Sequence, residues 1–226
     1  MKLSDTTLAT LKNFAGINSN IVLNSGNVVK TMSESKTIMS SARIDEYIPS
    51  QIGIYDLSEF LGVIGMFDDP DLLFDNEFKS VKVSEGRRAV NYFFSEPSIL
   101  TTPRKDITMP SNDITFDLTA DDMSNIRKGC STLGVSDVVI KCEPGSVPRI
   151  VITDTKDKTS NSYAIELADL PELDITCEFI FNIVNFKFVN DDYAVTISKS
   201  LISNWKAKNS PIEYWVALEK NSTFRG

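Results

Sequence analysis

Apolar residues recur at helical spacing in four segments of the chain, and each segment begins with a residue that favours the N-cap position of a helix. The four predicted caps are Ser4, Asp56, Thr119 and Thr176. Glu59 follows the second cap at the spacing of a capping box. The apolar positions predicted to face the core are Leu8, Leu11, Phe14 and Ala15; Leu57, Phe60, Leu61 and Ile64; Met123, Ile126 and Cys130; and Phe179, Ile180, Ile183 and Val184.

Short runs rich in β-branched and aromatic residues separate the helical segments and predict strands. Clusters of turn-forming residues bound these runs, as at 24–27 and 143–146. The most regular of the predicted strands are 81–83, 138–141, 149–152, 163–167 and 193–197.

The order of the predicted elements repeats along the chain: helix, strands, helix, strands, and then the same again. This repetition predicts an α+β protein of two similar tandem domains, each with two helices packed on antiparallel sheets. A stretch with three prolines and little periodicity, at about 95–110, is typical of an extended connector. We therefore predict a first domain over 1–108 and a second over 111–226.

Composition limits the chemistry that the chain can perform. The 226 residues include no histidine, which excludes Ser-His-Asp and Cys-His mechanisms and the commonest metal ligand. The three cysteines are odd in number and form no C-x-x-C pair, so buried thiols are expected rather than a disulfide framework or a zinc site. The N-terminus turns polar at once and no apolar run is long enough to span a membrane, so we expect neither a secretory signal nor an anchor.

Acidic residues cluster at three places, and two interpretations of them stay open. Converging carboxylates would suit a metal-dependent nuclease. Aspartate is also favoured in turns and at helix starts, which is the interpretation that the sequence favours. We predict no metal and no cofactor. The clusters are 68–71, 121–122 and 191–192.

The charge pattern bears on nucleic-acid binding. A net charge of −8 argues against a protein that wraps tightly around DNA, yet a local basic surface can exist at any net charge. Lys12, Arg127 and Lys128 lie on polar faces of predicted helices, and Lys187 closes the fourth. Each is explained singly as a solvated charge, but their recurrence in a duplicated unit also suits one shared surface that contacts phosphates.

Short motifs spread over nearly the whole chain share one order and spacing with a known family. They are MKLS at 1–4, LKNFA at 11–15, SG at 25–26, IYDL at 54–57, FLG at 60–62, FI at 179–180 with Asn182, Asn185, Lys187 and Tyr193 after it, VALE at 216–219 and ST at 222–223. Together they resemble the DNA sliding clamps, or processivity factors, of T-even-type bacteriophages. The third helix departs from the family pattern around 127–129, where it carries a glycine.

The resemblance implies the DNA clamp fold and a non-enzymatic role in the cytoplasm of an infected bacterial host. A homotrimeric ring, closed head to tail, would hold duplex DNA inside a layer of helices and tether the DNA polymerase through its C-terminal tail. A clamp loader ATPase would open the ring, and late transcription factors would also use it. The alternative is a phage structural or adaptor protein with a clamp-like fold.

The resemblance also implies two surfaces. Residues facing the bore of the ring would be Lys2, Lys12, Arg127, Lys128 and Lys187. An apolar pocket for partner peptides beside the connector would bring together Ile99, Leu100, Ile107, Trp215, Ala217 and Leu218. For the pocket residues, ordinary positions in a core strand remain the alternative.

Overall fold

A computed structural model describes residues 1–103, 105–167, 170 and 173–225 of the chain. The contacts divide the chain into two compact units, Met1–Asp106 and Ile107–Gly226. Arg104, inside the predicted connector, lies outside the described residues. None of the helices in the described part of the chain has the length and apolar character that a membrane crossing requires.

The first unit combines two α-helices with short antiparallel sheets. Strand β1 pairs with β4, β2 pairs with β3, and β5, β6 and β7 form a three-stranded sheet in that order. The elements are α1 (Asp5–Ala15), β1 (Ile21–Leu23), β2 (Gly26–Met32), β3 (Ile38–Ile48), β4 (Ile52–Ile54), α2 (Leu57–Ile64), β5 (Asp71–Phe74), β6 (Ser80–Glu85), β7 (Arg88–Phe93) and a 3₁₀ turn (Pro97–Ile99).

The first two predicted helices are confirmed, together with their caps. The Ser4 hydroxyl accepts a hydrogen bond from the Thr7 amide at 3.2 Å, and the Asp56 carboxylate accepts one from the Glu59 amide at 2.9 Å. These bonds satisfy amides that a helix start leaves without intrahelical partners. The buried positions are Thr7, Thr10, Leu11 and Phe14 on α1 and Leu57, Phe60 and Ile64 on α2, whereas Leu8, Ala15 and Leu61 are half-buried.

The three-stranded sheet of the first unit packs one face inward and leaves one edge open. Val81 and Val83 of β6 are buried, and the Tyr92 ring of β7 lies 5.1 Å from that of Phe60 on α2. Strand β7 is the last strand of this sheet, and Phe93 at its end is 76% exposed.

The second unit contains one α-helix and two antiparallel sheets. One sheet has the order β11-β10-β9-β12-β16, and in the other β15, β14, β13 and β8 pair in that order. The elements are β8 (Ile114–Leu118), α3 (Ala120–Leu133), β9 (Asp137–Cys142), β10 (Arg149–Thr153), β11 (Tyr163–Glu166), β12 (Thr176–Asn182), a 3₁₀ turn (Ile183–Asn185), β13 (Tyr193–Ser198), β14 (Ile202–Ala207), β15 (Ile212–Ala217) and β16 (Thr223–Arg225).

The predicted third helix is confirmed by a full capping box. The Thr119 side chain accepts from the Asp122 amide, and the Asp122 carboxylate accepts from the Thr119 amide. Helix α3 buries Met123, Ile126 and Cys130, as the sequence predicts, and ends at Gly134 in the left-handed conformation with φ of 67°.

The predicted fourth helix is wrong. The segment from Thr176 to Asn182 is strand β12, which pairs with β9 on one side and β16 on the other. Phe179, Ile180 and Phe181 are all buried, and a continuous apolar run of this length does not distinguish a central strand from a buried helix. Helical geometry is limited to the short 3₁₀ turn that follows, in which the Asn182 side chain accepts from the Val184 amide.

An aromatic cluster forms the core of the second unit. The fully buried Trp205 ring lies within 5.8 Å of the rings of Phe181, Phe186 and Phe188. The Trp205 indole donates to the Ser203 hydroxyl at 2.8 Å, so the one polar group of this ring is satisfied inside the core. The cluster packs against one face of the sheet that contains β14 and β15, and Trp215 lies on the opposite face of this sheet.

Candidate nucleic-acid interface and partner surface

Two of the predicted DNA-facing lysines project from helices into solvent. Lys12 is exposed on α1 and Lys128 is exposed on α3. Neither has an ion-pair partner among the residues that the structure describes. Both are therefore able to attract an external anion such as a phosphate.

Lys2 stands in a different environment. Its ammonium pairs with the Asp69 carboxylate, and this hydrogen bond, together with the charges of Asp69, Asp71 and Glu85, raises the pKa of Lys2. The pair is exposed, so an external phosphate can compete for the ammonium. The neighbouring carboxylates nevertheless make the electrostatic potential around Lys2 negative.

Arg127 and Lys187 do not lie on exposed helix faces in the way the sequence predicts. Arg127 is half-buried on α3, and its guanidinium donates to the Phe188 carbonyl at 3.1 Å. It thereby ties α3 to the loop that follows the second 3₁₀ turn. Lys187 is exposed in that loop rather than at the end of a helix.

A groove of about 300 Å³ runs beside Lys128. Asn125, Lys128, Gly129 and Thr132 line it from one face of α3, and the Tyr163 ring lines it from β11. Gly129 permits this approach, because a Cβ atom there would lie 2.9 Å from Cδ1 of Tyr163. The groove presents ammonium, amide, hydroxyl and phenol donors, which are groups that bind phosphate oxygens without reading bases.

Three of these groove residues, Asn125, Thr132 and Tyr163, are not among the residues predicted to face DNA. Asn125 and Thr132 lie three residues before and four residues after Lys128, so helical spacing alone would have identified them. Tyr163 was predicted only as part of a strand. Its place beside α3 depends on packing between distant segments, which no local pattern encodes.

The six predicted pocket residues fall in both units. In the first unit Leu100 is 9% exposed and packs near Gly53, whereas Ile99 is 71% exposed. In the second unit Trp215 and Ala217 are half-buried on one face of β15, and Leu218 is buried just after that strand. Ile107, at the start of the second unit, is half-buried.

The chain matches two family models in tandem. Residues 2–98 match the model described as DNA polymerase processivity factor, and residues 115–220 match the C-terminal domain of the gp45 sliding clamp. Together they span nearly all of the chain.

The chain belongs to the sliding-clamp family.

Relatives among phage clamps align over almost their full length. The chain is 29% identical over 226 residues to the sliding clamp of Enterobacteria phage T4, covering 99% of each protein. It is 28% identical over 223 residues to the sliding clamp of Vibrio phage KVP40, covering 97% of this chain and 99% of the relative. The clamp fold is confirmed by the structure of A. fulgidus PCNA bound to the C-terminal region of FEN-1, with a TM-score of 0.66, 14% identity and 96% of each chain covered.

Membership of this clamp family decides between the functional classes. Sliding clamps are non-enzymatic processivity factors of DNA replication, so the metal-dependent nuclease alternative is wrong. The family also implies DNA and a DNA polymerase as partners, and assembly into an oligomer.

Asp191, in one of the three acidic clusters, has a structural role. Asp191 is 4% exposed, and its carboxylate accepts hydrogen bonds from Asp192, Asn209 and Ser210 at 2.6–3.0 Å. Burial raises the pKa of Asp191, but the hydrogen bonds outweigh burial and the net pKa lies below its usual value. No group of three potential ligands able to hold a metal ion occurs within the described ranges of the chain.

Proposed function

We propose that this clamp encircles duplex DNA as a homotrimeric ring and tethers the DNA polymerase for processive synthesis. The observation that carries the proposal is the tandem match of two clamp domains over nearly the whole chain, with phage clamp relatives aligned end to end. In a ring, the topological link to DNA holds the protein in place, so tight binding is not needed.

The edges of two sheets support closure of such a ring. A head-to-tail ring needs two different surfaces on each subunit that fit one another. Strand β7 is an open edge in the first unit and β11 is an open edge in the second. Both carry exposed apolar residues, Phe93 at 76% and Tyr163 at 41%. An open edge strand presents unpaired backbone amides and carbonyls that can pair with a strand of another chain. We infer that β7 of one copy pairs with β11 of the next.

The charge distribution supports sliding rather than fixed binding. The net charge of −8 keeps most of the surface from attracting DNA. Lys12 and Lys128 on the helices, with Lys2 and Lys187 as further candidates, supply contacts to phosphates that hold no particular register. Asn125 and Tyr163 extend the surface around Lys128 with uncharged donors.

Partner docking is proposed on the outer face of the sheet that contains β15. Trp215 and Ala217 lie on this face, and Ile202 is the cross-strand neighbour of Ala217. A half-buried tryptophan suits the anchor of a peptide, and its cross-strand neighbour Asn204 places a polar side-chain amide beside it. We infer that the C-terminal tail of the polymerase binds here, on this face of the second unit.

Loading, transcription and location follow from the same proposal. A closed ring cannot thread onto circular DNA, so a clamp loader ATPase must open it. Late transcription factors are proposed as further partners, and the cytoplasm of the infected bacterial host as the site of action.

Two measurements test the proposal. Light scattering on a size-exclusion column should give about three times the chain mass of 25.2 kDa, with dissociation on dilution. Polymerase run length on primed DNA should increase only when the clamp, the clamp loader and ATP are all present. A strict monomer at every concentration, with unchanged run length, would favour the adaptor alternative instead.

A further inference from the structure

An acidic groove in the second unit lies between β8, the start of α3 and the end of β11. Its volume is about 360 Å³. Phe116, Ile165, Leu167 and Leu170 contribute apolar lining. A groove of this kind beside an open sheet edge is typical of a surface that receives another chain.

Three carboxylates line the same groove, and among the described residues only one of them, Asp117, has a counter-ion. Asp117 already pairs with a lysine at 2.6 Å, and Asp122 caps α3. Glu166 ends β11 and is exposed, with no ion pair to any described residue. Arg149 stands opposite it on β10, but its guanidinium pairs with Glu143 at 3.1 Å. The groove therefore presents negative charge that suits a cation.

The hairpin between β6 and β7 carries such a cation at its tip. Glu85 and Arg88 are cross-strand partners that form an ion pair at 2.5 Å, which leaves Gly86 and Arg87 as the two-residue turn. Gly86 has φ of 58°, the positive value that tight hairpin turns require. Arg87 is exposed at this tip and has no ion-pair partner in the part of the chain that the structure describes.

We propose that Arg87 of one copy enters this groove on the next copy and pairs with Glu166. This pair presupposes the proposed ring, and its two charges would set the register in which β7 pairs with β11. Arg87 immediately precedes β7 and Glu166 is the last residue of β11. Antiparallel pairing of the two strands sets the start of one opposite the end of the other, and so brings the two unpaired charges together. Parallel pairing would set Arg87 beside Tyr163 instead.

The pair orients assembly as well as stabilising it. Opposite charges at the end of a strand pairing favour one register, because a slip moves each charge away from its partner. The groove carboxylate Asp122, which has no counter-ion among the described residues, adds to the attraction for the hairpin tip. A second copy of this chain is thus the occupant that matches both the charge and the strand direction.

Charge reversal tests the pair, because each interface of a head-to-tail ring contains one Arg87 from one copy and one Glu166 from the next. Arg87→Glu and Glu166→Arg should each raise the concentration at which the ring dissociates, on the order of tenfold, since each sets like charges together. A chain that carries both substitutions restores an opposite pair at every interface and should recover most of the loss. Arg43→Glu and Glu219→Arg make the same charge changes at exposed positions elsewhere and should leave assembly unchanged.

Sedimentation across a dilution series supplies the readout, with circular dichroism as a check that each variant folds. Weak single variants and a recovered double variant support the pair. Single variants that assemble normally, or a double variant as weak as its parents, would overturn it while leaving the ring intact. If the unsubstituted chain itself sedimented as a monomer, the result would contradict the proposed ring and therefore also the Arg87–Glu166 pair.

Discussion

Gly53→Ala tests how the start of the connector is held against the first unit. Gly53 lies in β4, and its carbonyl accepts a hydrogen bond from the Ser95 amide at 2.8 Å. An added Cβ would lie 2.5 Å from the Ser95 carbonyl oxygen, 2.9 Å from Cδ1 of Leu100 and 3.2 Å from Cα of Pro97. Because two of these atoms are backbone, a rotamer change cannot relieve the clash and the segment itself must move.

The expected cost follows from the contacts that such a movement breaks. Overpacking in a buried site costs about 1–3 kcal/mol, and the lost hydrogen bond adds about 1 kcal/mol. We therefore expect Gly53→Ala to lower the free energy of unfolding by roughly 2–4 kcal/mol. Urea denaturation followed by circular dichroism measures this, and hydrogen exchange should accelerate locally at the amides of 95–100.

Gly62→Ala is the matched control, since a Cβ at Gly62 on α2 would meet no atom within 4 Å. It should stabilise the protein by up to about 1 kcal/mol, because alanine favours helix over glycine. If Gly53→Ala changed stability by less than about 0.5 kcal/mol and left exchange at 95–100 unaltered, the close approach of the connector would be refuted.

Three further predictions address DNA, the partner and pH. Replacing Lys12 and Lys128 with glutamine should weaken DNA binding equally on all sequences and lower the salt slope of log affinity by about one per lysine, measured by fluorescence anisotropy; sequence-dependent losses would count against phosphate contacts. Trp215→Ala should weaken binding of a polymerase C-terminal peptide roughly tenfold or more in calorimetry, with unchanged oligomer mass; unaltered affinity would argue against the pocket. Asp191→Asn should destabilise the chain by about 2 kcal/mol at neutral pH. Because the folded-state pKa of Asp191 is depressed, its contribution is present above the ordinary carboxyl pKa of 3.8 and is lost as pH falls through the folded value. Urea unfolding at several pH values should therefore show the difference shrinking in acid, and a difference independent of pH would contradict the account.

Local chemistry explains why much of the fold could be predicted. Ser4, Asp56 and Thr119 each cap a helix whose apolar stripe is evident within a few residues, so three helices were identified with their starts. The β-rich runs at 138–141 and 193–197 lie within strands for the same reason. The clamp family was recognised because its short motifs keep their order along the chain.

The errors arise where distant segments decide the structure. Strand β12 is buried between β9 and β16, so its apolar run lacks the alternation that identifies a strand. Arg127 has the sequence position of a solvent-facing arginine, but the Phe188 carbonyl binds its guanidinium. The proposed pairing of Arg87 with Glu166 likewise has no local sequence signal, because it depends on which sheet edges remain open after folding.

The most direct test of the central claim is retention of the clamp on circular DNA. The labelled clamp is loaded onto a nicked circle with the loader and ATP, and free protein is removed by gel filtration in high salt. If the clamp is a closed ring around the duplex, it should remain with the circle and should be lost when a single restriction cut makes the DNA linear, because the ring slides off the ends. Equal retention on circular and linear DNA, or loss from both on salt addition alone, would contradict topological linkage.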